Sequence, residues 1–253
     1  MPLLARDGTV RGRGAVSVPD QSVAPAAGNR TPASPIPDVA TPGPVLATPG
    51  PVSSYPRPPQ GREDCLHVVM TSHETWLVRH GQTAWTLTGQ HTGLTDLPLT
   101  ADGERQVAAL QPRLDRPWAL VLTSPLQRAA RTARLAGLQA ETDRDLCEWD
   151  YGPAEGLTTE QLSAPGKPWS IWDDVPLGET LPQVARRCAR VLSRAAAAEG
   201  DVCLVAHGHV LRVLTAVYLG LPPVTARHLV LSTAHVTRLG HEHATPALLE
   251  WNS

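Results

Sequence analysis

Short apolar runs alternate with amphipathic segments from about residue 75 to the end of the chain. The apolar runs predict strands at residues 75–78, 119–122, 202–206, 229–231, 236–239 and 247–250. Residues 100–110 are predicted to form a helix with a threonine cap, and residues 179–198 carry a helically spaced apolar stripe interpreted as core packing. This alternation predicts an α/β fold with a mostly parallel sheet, helices on both faces and an antiparallel edge at the last two strands.

Residues 1–72 differ from the rest of the chain in composition. They are rich in Pro, Ala, Gly, Ser and Thr, and the sequence Ala-Thr-Pro-Gly-Pro-Val occurs twice. Such a segment cannot bury enough apolar surface to offset its ordering entropy, so it is predicted to be disordered, with residues 73–253 as the folded domain. A proline-rich ligand is the alternative. Met70 also resembles a natural start, in which case residues 1–69 would not be translated.

Arg79, His80 and Gly81 follow the first predicted strand directly. Ligand sites of open α/β sheets lie where the strands end, so this position suits an active site. A neutral imidazole can attack phosphorus, and an adjacent guanidinium can bind the phosphoryl oxygens. Gly81 lets backbone N–H groups approach an anion closely. The plainer alternative is a strand that ends in two polar residues.

Ser124 and Pro125 follow the second predicted strand and are predicted to open a helix, with Ser124 as its cap. Arg128 then lies in the first turn, near a helix N-terminus that attracts anions, and is predicted to enter the pocket. Arg131 and Arg134 are interpreted as surface residues. The alternative places all three arginines on a solvated helix face.

Residues 145–156 combine carboxylates with aromatic residues and glycines without a helical period, which indicates a structured loop. A carboxylic acid packed against aromatic rings has a raised pKa and can protonate a leaving alkoxide. Glu148, beside Trp149, suits that role. The other carboxylates of the loop are interpreted as surface groups: Asp145, Asp150 and Glu155.

His207 and Gly208 follow the strand predicted at residues 202–206 and open another helix, which ends near Gly220. A protonated His207 would offer a hydrogen-bond donor and a positive charge to phosphoryl oxygens. Single histidines are usually structural or exposed, so this assignment depends on the other motifs. Five of the other histidines are assigned no role: His67, His73, His228, His241 and His243.

Together these motifs resemble the histidine phosphatase superfamily, also called the phosphoglycerate mutase-like family, over residues 75–251. The matching stretches are Leu-Val-Arg79-His80-Gly-Gln-Thr, Thr-Ser-Pro-Leu-Gln-Arg128-Ala, Glu148-Trp-Asp-Tyr-Gly and Ala-His207-Gly-His. Residues 90–100, 169–173 and 178–180 add to the match. The chain looks most like the branch that holds fungal sedoheptulose-1,7-bisphosphatase and related bacterial acid phosphatases. The resemblance implies a phosphoglycerate mutase-like fold.

The resemblance also implies a role for each matching residue. His80 would be the phosphorylated nucleophile and Glu148 the proton donor. Arg79, Arg128 and His207 would complete the phosphate pocket. Relatives contact the phosphate or the rest of the substrate at positions that correspond to Gln82, Thr83, Thr86, Thr92, Gly93, Gly208 and His209.

Some positions depart from the mutase pattern within this family. The chain has Ala84 where mutases often have Glu or Ser, Thr86 where many have Asn, a compact acid loop, and His209 after the second His-Gly. These departures favour transfer to water, that is, a metal-independent phosphatase for small phosphorylated metabolites such as sugar bisphosphates. The alternatives are a phosphoglycerate-type mutase and, from another class, an inactive binder of phospho-ligands or phosphoproteins, which would not need Glu148.

The implied chemistry sets requirements for the site. His80 must attack through an unprotonated nitrogen, so its other ring nitrogen needs an acceptor, and the nearby cationic groups disfavour its protonation. Enzymes accelerate phosphate-monoester hydrolysis by up to about 10²¹, and a single acid or base supplies roughly 10²–10⁴ of this. Positioning and preorganised charge must supply most of the rest.

Composition limits the remaining classes. A net charge of −2 and dispersed arginines give no general attraction to nucleic acid. No apolar stretch is long enough for a membrane helix, and the N-terminus lacks the apolar core of a secretory signal. Four dispersed cysteines suggest neither disulfides nor a zinc site. We therefore expect a cytoplasmic enzyme with no cofactor, metal, nucleic acid or membrane partner, acting on a small phosphorylated substrate, with the oligomeric state open.

Overall fold

The computed structural model describes residues 73–173 and 175–253. The predictions for residues 1–72, the start at Met70 and His67 lie outside the described residues. The strands are β1 (Thr75–Arg79), β2 (Leu120–Thr123), β3 (Glu141–Thr142), β4 (Val202–Ala206), β5 (Val236–Glu242) and β6 (Thr245–Glu250). The α-helices are α1 (Ala84–Thr88), α2 (Ala101–Ala108), α3 (Gln111–Leu114), α4 (Gln127–Leu135), α5 (Thr159–Leu162), α6 (Leu181–Ala196) and α7 (Gly208–Tyr218), with short 3-10 helices at Arg144–Leu146, Gly152–Ala154 and Pro223–His228.

The strands form one mixed sheet in the order β3-β2-β4-β1-β5-β6. Pairing is parallel from β3 through β1, whereas β5 runs antiparallel to β1 and β6 antiparallel to β5. The α/β fold and the antiparallel edge are thus confirmed. Arg79 pairs with Ala206, and Thr123 with Val205. The residues that follow β1, β2 and β4 therefore meet at the carboxyl ends of these parallel strands.

Helices cover both faces of the sheet. Alternate residues of each strand point to opposite sides, so each face carries its own apolar side chains that must be buried. Leu77 and Leu204 belong to the core that also contains Val184 and Cys188 of α6. Val78 and Val205 belong to the opposite core, which is shared with α2 and α4. The stripe on α6 is therefore core packing, as predicted. No helix of the described residues is both long and apolar enough to cross a membrane.

The prediction of a strand at residues 229–231 is wrong, because these residues join no strand of the sheet. Leu229 has extended backbone angles, but β5 already occupies the free edge of β1. Side chains bind the carbonyls of this segment instead. Trp251 Nε1 donates to the Val230 carbonyl at 2.6 Å, and the Arg79 guanidinium donates to the Leu231 carbonyl. An extended apolar run becomes a strand only where a sheet edge is available.

The start of α4 also differs from the prediction. The helix begins at Gln127 with Leu126 at the N-cap position, so Pro125 precedes it. Ser124 Oγ accepts a hydrogen bond from the Leu126 backbone N–H at 3.3 Å, before the helix begins. Arg128 remains in the first turn, as predicted. Ser124 therefore does not cap α4.

Candidate active site

His80 lies directly after β1 and is only 3% exposed. Its Nδ1 is 2.7 Å from the Gly81 carbonyl oxygen. Because a carbonyl can only accept, Nδ1 carries the proton and Nε2 keeps a lone pair. Burial first, and then the charges of Arg79 and Arg128, hold the pKa of His80 well below its usual range. The predicted acceptor is confirmed, and the neighbouring charge comes from the two arginines.

Arg79 packs its guanidinium against Gly208 at the start of α7. A Cβ added to Gly208 would lie 3.2 Å from Cζ of Arg79, so glycine leaves room for the flat guanidinium. The Nε atom of Arg79 is buried and has no hydrogen-bond partner among the described residues. A buried, unpaired donor on a charged group is costly unless an anion meets it. Arg79 is thus suited to bind an anion beside His80.

Arg128 is fully buried, and the protein itself binds most of its donors. Nε donates to His207 Nδ1 at 3.1 Å. The terminal nitrogens donate to the carbonyls of Thr92, Gly93 and Thr95 at 2.8–3.2 Å. These contacts attach the loop before α2 to the centre of the site. Arg128 therefore lies beside His207 and holds this loop in place, and its contact with a phosphoryl group stays a prediction.

His207 follows β4 and is fully buried, with its ring centroid 5.1 Å from that of His80. Its Nδ1 accepts from Arg128, so its Nε2 carries the proton and donates to Ser124 Oγ at 2.8 Å. Burial first, and then the charge of Arg128, hold the pKa of His207 well below its usual range. The prediction of a protonated His207 is therefore wrong. Sequence analysis also missed Ser124 as its partner.

Glu148 is 5% exposed and accepts three backbone hydrogen bonds. Oε1 accepts from the N–H groups of Trp149 at 3.0 Å and Val210 at 2.8 Å, and Oε2 accepts from His209 at 2.9 Å. Two of these donors belong to the first turn of α7, where a helix favours negative charge. The N-terminus of α7 therefore holds the carboxylate of Glu148 against the site.

Arg187 on α6 fixes the loop that carries Glu148. It is 7% exposed and binds both oxygens of Glu179, at 2.9 and 3.0 Å. Its NH1 donates to the carbonyls of Asp145 at 2.7 Å and Cys147 at 2.5 Å. Sequence analysis missed this residue. The available signal was an arginine beside Cys188, inside the apolar stripe of α6.

Five rings form a wall next to Glu148, which we call the ring cluster: His91, Tyr151, Trp169, Trp172 and His209. The ring of His91 lies 5.2 Å from Tyr151 and 5.0 Å from Trp169, and His209 lies 5.4 Å from Trp172. The Tyr151 hydroxyl is 2.6 Å from His209 Nδ1. Burial first raises the pKa of Tyr151 and lowers that of His209, so the phenol donates to a neutral imidazole. The sequence predicted only His209 of this wall.

Several of the predicted substrate contacts have structural partners. Gln82 Oε1 accepts from Thr100 Oγ1 at 2.8 Å. Thr83 and Thr86 form a capping box at the start of α1. Thr92 Oγ1 donates to the Gln90 carbonyl at 3.3 Å. These hydrogen bonds order the loops around the site, and a direct contact with substrate stays a prediction for all four side chains.

Glu155 organises the loop at Gly93, so its interpretation as a surface carboxylate is wrong. It accepts from the backbone N–H groups of Gly93 at 2.9 Å and Thr95 at 3.2 Å. A Cβ at position 93 would lie 2.5 Å from the Glu155 carboxylate and 2.6 Å from the Trp149 carbonyl, so only glycine fits. The substrate contact predicted for Gly93 remains a prediction, since both its N–H and its carbonyl already bind protein groups.

Among the described residues, no group of three or more His, Cys, Asp or Glu side chains could hold a metal ion. The cysteines in this part of the chain, Cys147, Cys188 and Cys203, are free. Burial raises the pKa of Cys188 to about 12, so this residue stays a thiol in the core. The absence of a metal cofactor stays a prediction.

Comparisons with known proteins agree with this geometry. The family model of the histidine phosphatase superfamily (branch 1) matches residues 75–253. An acid phosphatase of Mycobacterium tuberculosis is 36% identical over 184 residues, covering 70% of this chain and 91% of the relative. Sedoheptulose 1,7-bisphosphatase of Saccharomyces cerevisiae is 36% identical over 181 residues, covering 57% of this chain and 67% of the relative.

A solved structure of an open reading frame product from Mycobacterium tuberculosis superposes with a TM-score of 0.67 at 35% identity, covering 72% of this chain and 98% of that one. Its fold is therefore shared along nearly its whole length. The family match spans all the strands described above, together with the residues that gather at the edge of the sheet. The chain belongs to the histidine phosphatase superfamily.

Proposed function

We propose that this enzyme, a phosphatase by family, hydrolyses phosphomonoesters of small metabolites through a phosphohistidine at His80. Sugar phosphates and sugar bisphosphates are the proposed substrates. Similarity to one protein named as an acid phosphatase and to another named as a sedoheptulose 1,7-bisphosphatase supports this choice. Arg79, Arg128 and Glu148 are proposed to act directly on the phosphoryl group or the leaving oxygen.

The observation that carries the proposal is the state of His80. Its Nδ1 proton is held by the Gly81 carbonyl, and its pKa is well below the usual range because the ring is buried beside two guanidinium groups. A nucleophilic imidazole requires this neutral tautomer, with a lone pair on Nε2. The buried, unpaired Nε of Arg79 supplies a donor for the phosphoryl oxygens of the ester.

The first chemical step transfers the phosphoryl group to the protein. The Nε2 lone pair of His80 attacks phosphorus, the bond from phosphorus to the ester oxygen breaks, and Glu148 gives its proton to that oxygen. The charge that develops on the phosphoryl oxygens is met by Arg79 and by the remaining donor of Arg128.

The second step regenerates the enzyme. Glu148, now a carboxylate, accepts a proton from water while the water oxygen attacks phosphorus. The bond from phosphorus to Nε2 breaks, and inorganic phosphate leaves. His207 acts differently from the protonated donor predicted from the sequence. In this proposal the neutral ring keeps the guanidinium of Arg128 in position through its Nδ1.

The decisive experiment compares wild type with His80→Ala in the release of inorganic phosphate from a panel of sugar phosphates and phosphorylated acids. We expect the variant to lose at least about 10³-fold in kcat, because the covalent route is removed. His228→Ala is the matched control, since His228 is exposed, and it should retain full activity. Rapid quenching with a ³²P-labelled ester should trap an acid-labile adduct in wild type alone.

Three outcomes would reject the proposal. Unchanged turnover in His80→Ala would exclude the nucleophile. Isomerised substrate without phosphate release would indicate a mutase. Tight binding of phosphate esters with no turnover of any of them would indicate a binding module.

A further inference from the structure

A groove of about 590 Å³ lies between the outer side of α6 and the end of α7, and we call it the α6–α7 groove. Ala185 and Ala189 of α6 form one side, and Val217, Leu221 and Pro223 form the other. None of the residues that line it belongs to the candidate active site. Sites for small molecules typically have volumes of about 300–1,000 Å³, so this groove is large enough for a ligand of its own.

The walls of the α6–α7 groove offer a ligand mainly apolar contact. Leu221 is 42% exposed, and a Cβ added at Gly220 would meet no atom within 4 Å. The backbone N–H groups of both residues already donate to carbonyls of α7. The Ser193 hydroxyl donates to the Ala189 carbonyl at 3.0 Å. The polar groups of the walls are therefore largely occupied within the protein.

The charge of the α6–α7 groove is positive and unbalanced. Of the four arginines on α6, three bind carboxylates: Arg187 with Glu179, Arg190 with Asp145, and Arg194 with Asp143. Arg186 is exposed and forms no ion pair with any described residue. Arg186 and Arg190 both line the groove, whereas no aspartate or glutamate among the described residues does. An occupant with a negative group would complement this charge.

A second copy of the chain would fit the α6–α7 groove poorly. In a two-fold symmetric dimer the same surface meets itself. Pairing at this groove would bring Arg186 and Arg190 of both copies together, without a carboxylate among the lining residues to separate them. Like charges in contact are unfavourable. The charge of the groove therefore favours a ligand of opposite sign over self-association.

We infer that the α6–α7 groove binds a small amphiphile with a carboxylate head and an aliphatic body. The carboxylate would pair with the guanidinium of Arg186, and the aliphatic body would lie between the alanines of α6 and Leu221. Both parts are required, because an exposed ion pair alone contributes little. A carboxylate is chosen over a phosphate ester because the enzyme belongs to a family of phosphatases and would hydrolyse the ester.

Calorimetric titration of the full chain with decanoate tests this inference. Decanamide has the same aliphatic body with an uncharged head, and acetate has the head without the body. We expect decanoate to bind with one equivalent per chain and roughly fivefold more tightly than decanamide, while acetate gives no measurable binding. Saturating inorganic phosphate, which is directed to the active site, should leave the affinity for decanoate unchanged.

Arg186→Met should weaken decanoate roughly fivefold and leave decanamide unchanged, because methionine keeps the apolar stem and removes the charge. Arg134→Met is the matched control. Arg134 is also exposed and has no ion pair within the described part of the chain, but it lies on α4, away from the groove. The control should bind both compounds like wild type.

Ala189→Trp should abolish binding of decanoate, because the indole would fill the space between α6 and Leu221. Ala189→Leu is a smaller filling variant and should weaken binding of both decanoate and decanamide. Circular dichroism and the hydrolysis of a phosphate ester by Arg186→Met, which should stay within about twofold of wild type, verify that the fold is retained.

Several results would overturn the inference. Equal affinity for decanoate and decanamide, or equal effects of Arg186→Met and Arg134→Met, would exclude recognition of the carboxylate. Displacement of decanoate by phosphate would place it in the active site. A dimer in sedimentation that Ala189→Trp dissociates would assign the groove to a second copy of the chain. Absence of ester hydrolysis with decanoate binding intact would instead reject the proposed function alone.

Discussion

At the scale of single residues, hydrogen bonds decide the protonation state of the two central histidines. His80 donates through Nδ1 to a carbonyl, whereas His207 accepts through Nδ1 and donates through Nε2 to Ser124. The two rings therefore have opposite tautomers. One exposes a lone pair for attack, and the other uses its lone pair to hold Arg128. Ser124 is the residue that makes the second arrangement stable.

Ser124→Ala tests this role. The change leaves the buried Nε2–H of His207 without an acceptor, which should lower the free energy of unfolding by about 1–3 kcal/mol. Loss of ring alignment should also shift Arg128, and a misplaced group commonly reduces the rate by roughly 10²-fold. We expect the main effect on kcat rather than KM, measured by steady-state kinetics with the best ester of the panel.

A surface serine provides the control for Ser124→Ala. Ser193 is exposed and donates to the Ala189 carbonyl within α6, far from the site. Ser193→Ala should change neither the unfolding free energy nor kcat appreciably. A Ser124→Ala enzyme whose kcat stays within twofold of wild type would show that His207 keeps its orientation without the hydroxyl.

At the scale of elements, the acid loop depends on α6. A loop without helical or strand hydrogen bonds needs other partners for its carbonyls. Arg187 binds two of these carbonyls and the Glu179 carboxylate at once, and the Glu179 carbonyl accepts from Trp149 Nε1 at 2.6 Å. The position of Glu148 is therefore set by a helix that contributes no group to the chemistry.

Arg187→Met should disturb both stability and catalysis. It leaves Glu179 unpaired and releases two loop carbonyls, and breaking a buried pair costs about 3–5 kcal/mol, less here because Glu179 is partly exposed. We expect a loss of about 2–3 kcal/mol in urea unfolding. In folded enzyme, kcat should fall at least tenfold, because the proton donor is no longer held in place.

Arg190→Met is the matched control for the loop. Arg190 lies on the same helix and binds the Asp145 side chain at 2.6 Å, but 62% of its own side chain is exposed. Its removal should cost less than about 1 kcal/mol. Equal effects of the two substitutions on kcat would contradict the positioning role of Arg187.

At the scale of the whole molecule, buried neutral histidines make stability depend on pH. Burial foremost lowers the pKa of His80 and His207 well below 6.5. In the unfolded chain both titrate near 6.5. Below that pH the unfolded state binds more protons than the folded state. The free energy of unfolding therefore decreases as the pH is lowered, by up to about 1.4 kcal/mol per pH unit for each ring. Above pH 7 the two states bind equally and this effect vanishes.

Urea unfolding at pH 7.5, 6.5 and 5.5 in phosphate-free buffer measures this dependence. Stability should be highest at pH 7.5 and decrease toward pH 5.5, a window that lies above the titration of ordinary carboxylates. His80→Ala should show a shallower decrease, and His228→Ala the full decrease. A constant or rising stability from pH 7.5 to 5.5 would contradict neutral burial of these rings.

The sequence predicted the parts of the fold that depend on local pattern. Buried strands are apolar on both faces, and helices repeat with their own period, so β1, β2, β4 and the stripe of α6 were found within a few residues. The run at residues 229–231 failed because strand formation also requires a free sheet edge. The two-residue strand β3 was missed, since both of its residues are exposed.

By itself, the sequence determined which chemical groups follow the strand ends. These groups identified the family and predicted that His80, Arg128 and His207 meet at the carboxyl ends of the parallel strands. Only the tertiary structure decided how those groups are used. The neutral state of His207, the contacts of Arg187 with the acid loop and the ring cluster all depend on partners distant in the chain, and the unpaired Nε of Arg79 depends on burial by the surrounding fold. Hydrogen-bond partners and desolvation are set by distances in space, which no local pattern contains.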